Sequence, residues 1–303
     1  MATLAIPATD TGRDTPPAAP ATRRRGHRGG SKAGKPGPVT YTLLTLVALV
    51  SIFPLYWTLV AGSHTNAEIA ATPPPFLPNA SLFDNFRAAL DQAPIGKAII
   101  NSVLVSGSIT VGTVLFCTLA GFAFAKLQFR GKGLLLSLVI GTMMVPTQLA
   151  VIPLFMMIAE LQWVNQLQAV ILPTLVSAFG VFFMRQYLIS ALPNELLEAG
   201  RVDGASTFRI FWSIVVPVAR PAMAVLAMLT FLTAWNEFFW PLIALTTANP
   251  TVQVALAGLG SGYVPQRSVI MAGTLLGTLP VLIVFTILGK QIVGGIMQGA
   301  VKG

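Results

Sequence analysis

Three acids and two arginines crowd into one short polar stretch of an otherwise apolar chain. They are Glu195, Glu198, Asp203, Arg201 and Arg209, within ELLEAGRVDGASTFRIFWSIVVP, residues 195–217, and the whole chain holds only ten acidic residues. A catalytic or metal-binding use would need further partners, and the sequence offers none. The two histidines, His27 and His64, fall in other segments, and no Cys/His pair has the spacing of a metal site. Gly-x-x-x-x-Gly-Lys-Ser/Thr is absent, so the chain is not expected to bind or hydrolyse ATP. Gly-x-Ser-x-Gly is absent as well. The chain therefore does not read as an enzyme, and no cofactor is expected in it. Any energy it uses must come from a partner or an ion gradient.

The local pattern of the stretch predicts two short helices joined at a turn. Pro193 suits the first helical position, where its missing N–H is no loss. Asp203-Gly204 signals the turn, because Gly adopts positive φ without steric penalty. Phe208, Phe211, Trp212 and Val215 then recur at helical spacing, and Pro217 is expected to stop the run.

The elements that must hold this stretch are apolar. Of 303 residues, 54% are hydrophobic and 10% charged, against about 25% charged in soluble chains. With a mean hydropathy of +0.74, the chain reads as an all-α integral membrane protein. Residues 1–37 are rich in Ala, Pro, Thr, Gly and Arg without apolar periodicity, and are expected to be a disordered basic tail. Residues 38–303 then carry six apolar runs, each long enough to span a hydrocarbon core, which takes about 20 residues. They are Thr40–Ala61, Ile99–Ala125, Leu134–Ile158, Gln168–Met184, Ala222–Leu245 and Val269–Gly289. The fourth is short and is expected to begin a few residues earlier.

The basic residues orient the chain. With the N-terminus inside, sixteen of nineteen Lys and Arg fall in cytoplasmic segments, and only Arg87, Lys97 and Arg267 fall outside. Both termini and the 195–217 stretch are then cytoplasmic. The net charge of +9 serves orientation, and no nucleic-acid partner is expected. The lone Cys117 sits in an apolar run and reads as a small core residue.

Outside, Asn85, Phe86, Ala89 and Leu90 predict a short amphipathic helix at the membrane surface. The 246–267 loop is dense in glycine, at Gly258, Gly260 and Gly262, beside Tyr263. It suggests tight turns or a surface that another protein approaches. Ser106, Gly107, Gly112, Gly121, Gly273 and Gly277 predict close helix packing. Prolines in five of the spans suggest kinks.

Glu237 is the one charge inside an apolar run, flanked by Trp235, Asn236 and Trp240. An ionisable group at membrane depth costs at least ~2.5 kcal/mol. Three readings stand: a proton or cation relay, a sugar-contacting group beside stacking Trp faces, or a polar residue near the outer interface with belt aromatics. Asn101, opening the second span, is either a pathway residue or a helix-end contact.

Glu198, Ala199, Gly204, Ile214 and Pro217 have a further significance as a set. The stretch resembles the cytoplasmic loop of the membrane subunits of ATP-binding-cassette (ABC) importers. That pattern is Glu-Ala-Ala, three residues, Gly, nine residues, Ile, two residues, Pro. Here Gly200 replaces the second Ala, and Asp203, Ala205 and Phe208 fit the longer form found in carbohydrate importers. Asn101-Ser102, residues 121–126, residues 234–238 and the C-terminal GAVKG are similar to the smaller permease of the maltose-transporter type.

The resemblance implies the type I ABC importer permease fold in the plasma membrane. It implies a second permease, two ATPase subunits that bind the ATP, and an extracytoplasmic sugar-binding protein as partners. Glu198 would face the ATPase, and Lys302 and Gly303 would touch it too. Asn101, Trp235, Asn236 and Glu237 stay candidates, on their residue types, for the path of a di- or oligosaccharide, whereas the resemblance implies that the partner permease holds most of the sugar contacts; residues 179–186 suggest cello-oligosaccharides. The rivals are the same fold carrying another solute such as a polyamine or phosphonate, an ion-coupled carrier, and a non-transporting scaffold.

Overall fold

Why the apolar runs become helices follows from their surroundings: in lipid every backbone N–H and C=O must be bonded within the segment. In the computed structural model, which describes residues 37–261 and 265–300, all regular structure among the described residues is helical. The expected basic tail, Gly262, Tyr263, Lys302 and Gly303 lie outside the described residues.

The chain divides into two units, Met1–Ser51 and Ile52–Gly303. The first contains the opening turns of α1 (Pro38–Gly62), where Thr42 Oγ1 donates to the Pro38 carbonyl. In the second, α1 ends and α2 (Asn66–Ile69) and α3 (Leu82–Gln92) follow. The expected amphipathic helix is α3, whose Ala89 is fully buried and whose Asn85 Nδ2 donates to the carbonyls of Gly62 and His64. Next come α4 (Ile95–Lys126), α5 (Lys132–Thr142), α6 (Val151–Glu160), α7 (Gln168–Ile171) and α8 (Ala178–Ala191). The chain continues through α9 (Asn194–Val202), α10 (Thr207–Ile210), α11 (Val216–Asn236), α12 (Phe239–Ala244), α13 (Val252–Leu259) and α14 (Arg267–Ala300).

Among the described residues, four helices are long and apolar enough to cross a membrane: Pro38–Gly62, Ile95–Lys126, Thr207–Asn236 and Arg267–Ile287. The third and fourth expected spans are bent pairs instead. Lys132–Thr142 meets Thr147–Glu160 at 92°, and Gln168–Thr174 meets Ala178–Ala191 at 42°. Pro146 explains the sharper break, since proline disfavours helical backbone in the residue before it and supplies no N–H of its own. Pro153 is tolerated in the first turn of α6, where N–H groups have no partner anyway. Pro173 sits at the second break, and Ser177 restarts the helix by accepting from the Gly180 amide at 2.9 Å. Pro54 and Pro280 lie inside unbroken helices.

The fourth run does not begin early; it starts at Gln168 and continues past Met184 to Ala191. Arg185 and Gln186 ended the apolar count, but Leu188 beyond them is buried and carries the helix on, and Leu192, also buried, follows its end.

Small residues decide how closely α4 is approached. A side chain on Gly121 would lie 2.7 Å from Met184 Cβ and 2.8 Å from the Arg185 amide of α8. One on Gly180 would lie 2.7 Å from Cys117 Sγ, and Cys117 is fully buried as expected of a core residue. Gly112, Gly273 and Gly277 are contact points of the same kind, but Gly107 faces open space and packs nothing. Gly273 and Gly277 of α14 receive Leu259 and Val252 of α13. The glycine-dense loop is therefore not turns alone; it contains a helix whose apolar face is buried against the spans.

Gly121→Leu is expected to destabilise the detergent-solubilised protein by about 1–3 kcal/mol, the usual range for overpacking. Gly107→Leu should leave the thermal midpoint unchanged. Equal midpoints for the two variants would show that the α4–α8 contact is not tight.

Candidate functional site

The 195–217 stretch forms one helix, a tight turn and the start of another helix. The first, α9, begins at Asn194, one residue later than expected, because Pro193 has ψ 146 and stays extended outside it. Asp203 closes α9 and Gly204 takes φ +74. The Gly204 amide donates to the Arg201 carbonyl at 3.0 Å and the Ala205 amide to the Gly200 carbonyl at 2.9 Å. These are the two bonds of a Schellman ending, which satisfies carbonyls the helix leaves open. Ser206 then starts α10, its Oγ accepting from the Arg209 amide at 3.3 Å.

Pro217 does not stop the second helix. α10 runs through a π turn, Phe211–Val215, into α11 without a break, so the segment is one 30-residue helix, Thr207–Asn236. Val216 donates to the Phe211 carbonyl five residues back. This wider turn makes room for the Pro217 ring, which would otherwise press on a carbonyl of the preceding turn.

One face of the pair is locked inward. Leu197 of α9, Ile210 and Phe211 are buried in one apolar cluster with Phe122 of α4 and Met184 and Leu188 of α8. The Phe122 and Phe211 rings lie 6.0 Å apart. Gly200 is where α9 approaches Ile210 and Ile214; a side chain there would meet Ile214 Cδ1 at 3.1 Å and Ile210 Cγ1 at 3.3 Å. Lys126 Nζ, at the end of α4, donates to Asn194 Oδ1 at 3.0 Å. Nothing in the local sequence pairs Lys126 with Asn194; only the fold brings them together.

The other face is free. Glu195, Glu198, Ala199, Arg201, Asp203 and Arg209 are exposed. Phe208 is 68% exposed and Trp212 47%, in an edge-on pair at 6.1 Å, while Phe211 is only 2% exposed. The aromatic set thus divides: Phe211 anchors, whereas Phe208 and Trp212 point away. Leu196 and Val202 add exposed apolar surface beside them. This arrangement suits docking, with an apolar patch ringed by both signs of charge.

The other candidate residues separate as well. Trp235 is 2% exposed and stacks on Phe231 at 5.6 Å. Trp240 is buried and donates from Nε1 to the Ala169 carbonyl at 3.0 Å. Neither ring is at a free surface of the chain. Asn101 is buried, with Nδ2 bonded to Asn249 Oδ1 and the Pro250 carbonyl. Glu237 lies in the break between α11 and α12, where Oε1 accepts from the Trp240 amide at 3.1 Å. It caps α12, as an acid at a helix start does. Asn236 is exposed, its Nδ2 donating to the Leu232 carbonyl.

Residues 117–297 match the family described as binding-protein-dependent transport system inner membrane component. The chain is 35% identical to the lactose transport system permease protein LacG of Rhizobium radiobacter, over 88% of this chain and 97% of that one. It is 33% identical to the arabinooligosaccharides transport system permease protein AraQ of Halalkalibacterium halodurans, over 89% and 99%. Against the sn-glycerol-3-phosphate transport system permease protein UgpE of Salmonella typhi the identity is 31%, over 86% and 95%. A bacterial ABC transporter involved in the import of the acidic polysaccharide alginate shares the fold, with a TM-score of 0.72 at 22% identity over 83% of this chain and 94% of its own.

Gly204→Val is expected to destabilise the α9–α10 turn by about 1–2 kcal/mol, the cost of a side chain in left-handed backbone. A Cβ there meets nothing within 4 Å, so the effect is one of backbone alone. Gly204→Asn should therefore recover most of it. Thermal unfolding of the purified variants, with protease cleavage at the turn as the local readout, checks this ordering.

Proposed function

The chain belongs to the family of binding-protein-dependent transport system inner membrane components, and from that premise we propose that it is a permease subunit of an ATP-driven sugar importer, paired with a second six-span permease. The observation that carries the reading is the two-faced α9–α10 pair. Leu197, Ile210 and Phe211 fix it to the span core, and Phe208, Trp212 and Glu198 are exposed. A short amphipathic helix gripped in a partner's groove passes on rigid-body motion only if its other face is held firmly.

Two ATPase subunits would bind and hydrolyse the ATP. The bias of basic residues supports an orientation in which the α9–α10 pair and both termini are cytoplasmic, where such ATPases would dock. Phe208 and Trp212 are the contacts expected to matter most, since buried aromatics dominate binding energy. Asp203, Gly204 and Ala205 shape the turn, and Gly200 against Ile214 sets the seat, while Ala199 and Pro217 are exposed and would be open to the ATPase. Lys302 and Gly303 would add contacts from the C-terminal tail. On the other side of the membrane, a sugar-binding protein would deliver the solute to the 246–267 segment.

The solute is assigned as a carbohydrate from the lactose and arabinooligosaccharide relatives, and as a cello-oligosaccharide from residues 179–186. A phosphorylated polyol is the second reading, favoured by the glycerol-phosphate relative. Asn236 and Glu237 keep access to the surface of the chain. Asn101 and Trp235 are shielded in the interior, so the partner permease is assigned most of the solute contacts.

With a C-terminal tag and mild detergent, wild type is expected to co-purify with an ATPase and a second six-span chain. Glu198→Lys should lower the bound ATPase roughly tenfold or more, the change that about 1.4 kcal/mol produces, while the second permease stays. ATPase retention that ignores Glu198→Lys and Trp212→Ala alike would remove this face as the docking element.

A further inference from the structure

α4 runs unbroken for 32 residues, about 48 Å at about 1.5 Å per residue. Both of its ends are fastened to the segments that partners are proposed to touch. At the Ile95 end, Lys97 Nζ donates to the Ala248 carbonyl at 2.7 Å, and Asn101 Nδ2 to Asn249 Oδ1 at 3.0 Å and the Pro250 carbonyl at 2.9 Å. Ser102 Oγ accepts from the Val252 amide at 2.8 Å. Asn101 and Ser102 are both buried. Hydrogen bonds of buried groups are hard to exchange for water, so this end of α4 is held firmly to the 248–252 segment.

Asn165 fastens the same segment from the other side. Its Oδ1 accepts from the Thr246 amide at 3.1 Å and the Thr246 hydroxyl at 2.9 Å. Its amide donates to the Ala244 carbonyl at 2.8 Å, and its carbonyl accepts from Asn249 Nδ2 at 3.1 Å. Asn165 does this with φ +65, a conformation asparagine tolerates better than most residues. At the far end of α4, Lys126 Nζ holds Asn194 of α9, and Phe122 packs on Phe211.

We propose that α4 is a rigid strut that carries displacement of the 246–252 segment, where a binding protein would press, to the α9–α10 pair that docks the ATPase. The inference rests on the importer reading above. The Thr207–Asn236 helix is nearly as long, at 30 residues, but is a poorer strut. It contains a π turn, Pro217 and Pro221, and it stops at the Glu237 break. Its polar link to α13 is one 3.4 Å bond from Gln253 Nε2 to the Trp235 carbonyl. α4 has no proline and no break, and a helix resists bending where its hydrogen-bond ladder is complete. The Asn165 network makes the 246–252 segment a single body, so a push anywhere on it reaches the helix.

The test uses the complete transporter in proteoliposomes and reads how far solute-loaded binding protein raises ATP hydrolysis above the basal rate. Asn165→Gly keeps the positive φ and removes both bonds to Thr246; Asn249→Ala removes the bonds to Asn101 and to the Asn165 carbonyl. Each should cut the maximal stimulation, read at saturating binding protein against the variant's own basal rate, roughly fivefold or more, the effect of losing two hydrogen bonds. Asn165→Asp keeps the acceptor and should retain wild-type stimulation. Lys126→Met breaks the link at the other end. Two links in series predict that Asn249→Ala/Lys126→Met is no worse than the worse single variant, whereas independent damage multiplies. A multiplied loss, or unchanged stimulation in both asparagine variants, overturns the strut and leaves the importer reading intact. A wild-type complex that binding protein does not stimulate at all overturns both.

Discussion

The structure depends on one apolar cluster that does not stop where the spans stop. It runs from Cys117 and Phe122 on α4, through Met184 and Leu188 on α8, to Leu197 on α9 and Ile210, Phe211 and Val215 around the π turn. Within lipid, helices gain little from hiding apolar surface, and close fit between small residues decides their approach. Gly121 against Met184 and Gly180 against Cys117 supply that fit. At the α9–α10 pair the same cluster has a second task. Leu197 and Ile210 fasten a short helix that four or five hydrogen bonds could not hold in place alone. The polar stretch is therefore an extension of the core and not a loose loop upon it.

Backbone chemistry then sets where this continuity is interrupted. Pro146 and Pro173 coincide with the two bent spans; the residues around Pro146 are exposed, whereas the Pro173 break meets α4 through Leu175 against Gly112 and the Thr113 hydroxyl on the Thr174 carbonyl. Pro217 has no such effect, because a π turn absorbs it and the neighbouring Phe211 and Val215 are buried. The same residue type thus ends one helix and is carried through another.

The one charge inside an apolar run shows the same dependence on context. Glu237 stands where α11 ends, and its carboxylate takes the amide that begins α12. A broken helix at membrane depth has orphan N–H groups, and a nearby acid answers that need whether or not a solute passes. Trp235 and Trp240, which could have stacked on a ring from outside, instead fill the interior beside Phe231 and Ala169. The aromatic and acidic signature is thereby used largely by the fold.

What the sequence determined by itself was whatever depends on runs and on neighbours. Six apolar segments had to be helices, because no other backbone arrangement satisfies itself in lipid. Asp203-Gly204 had to be a turn, because few residues but glycine sit easily at φ +74. The spacing of Glu198, Gly204, Ile214 and Pro217 was enough to find the family. Tertiary structure alone decided whatever joins distant residues. It turned Phe211 inward and left Phe208 and Trp212 out, though all three share one helical period. It joined Asn101 to Asn249 and Lys126 to Asn194, pairs separated by 148 and 68 positions. A polar side chain in a sequence shows that it needs a partner, but the partner's identity is fixed only when helices from far-apart runs pack side by side.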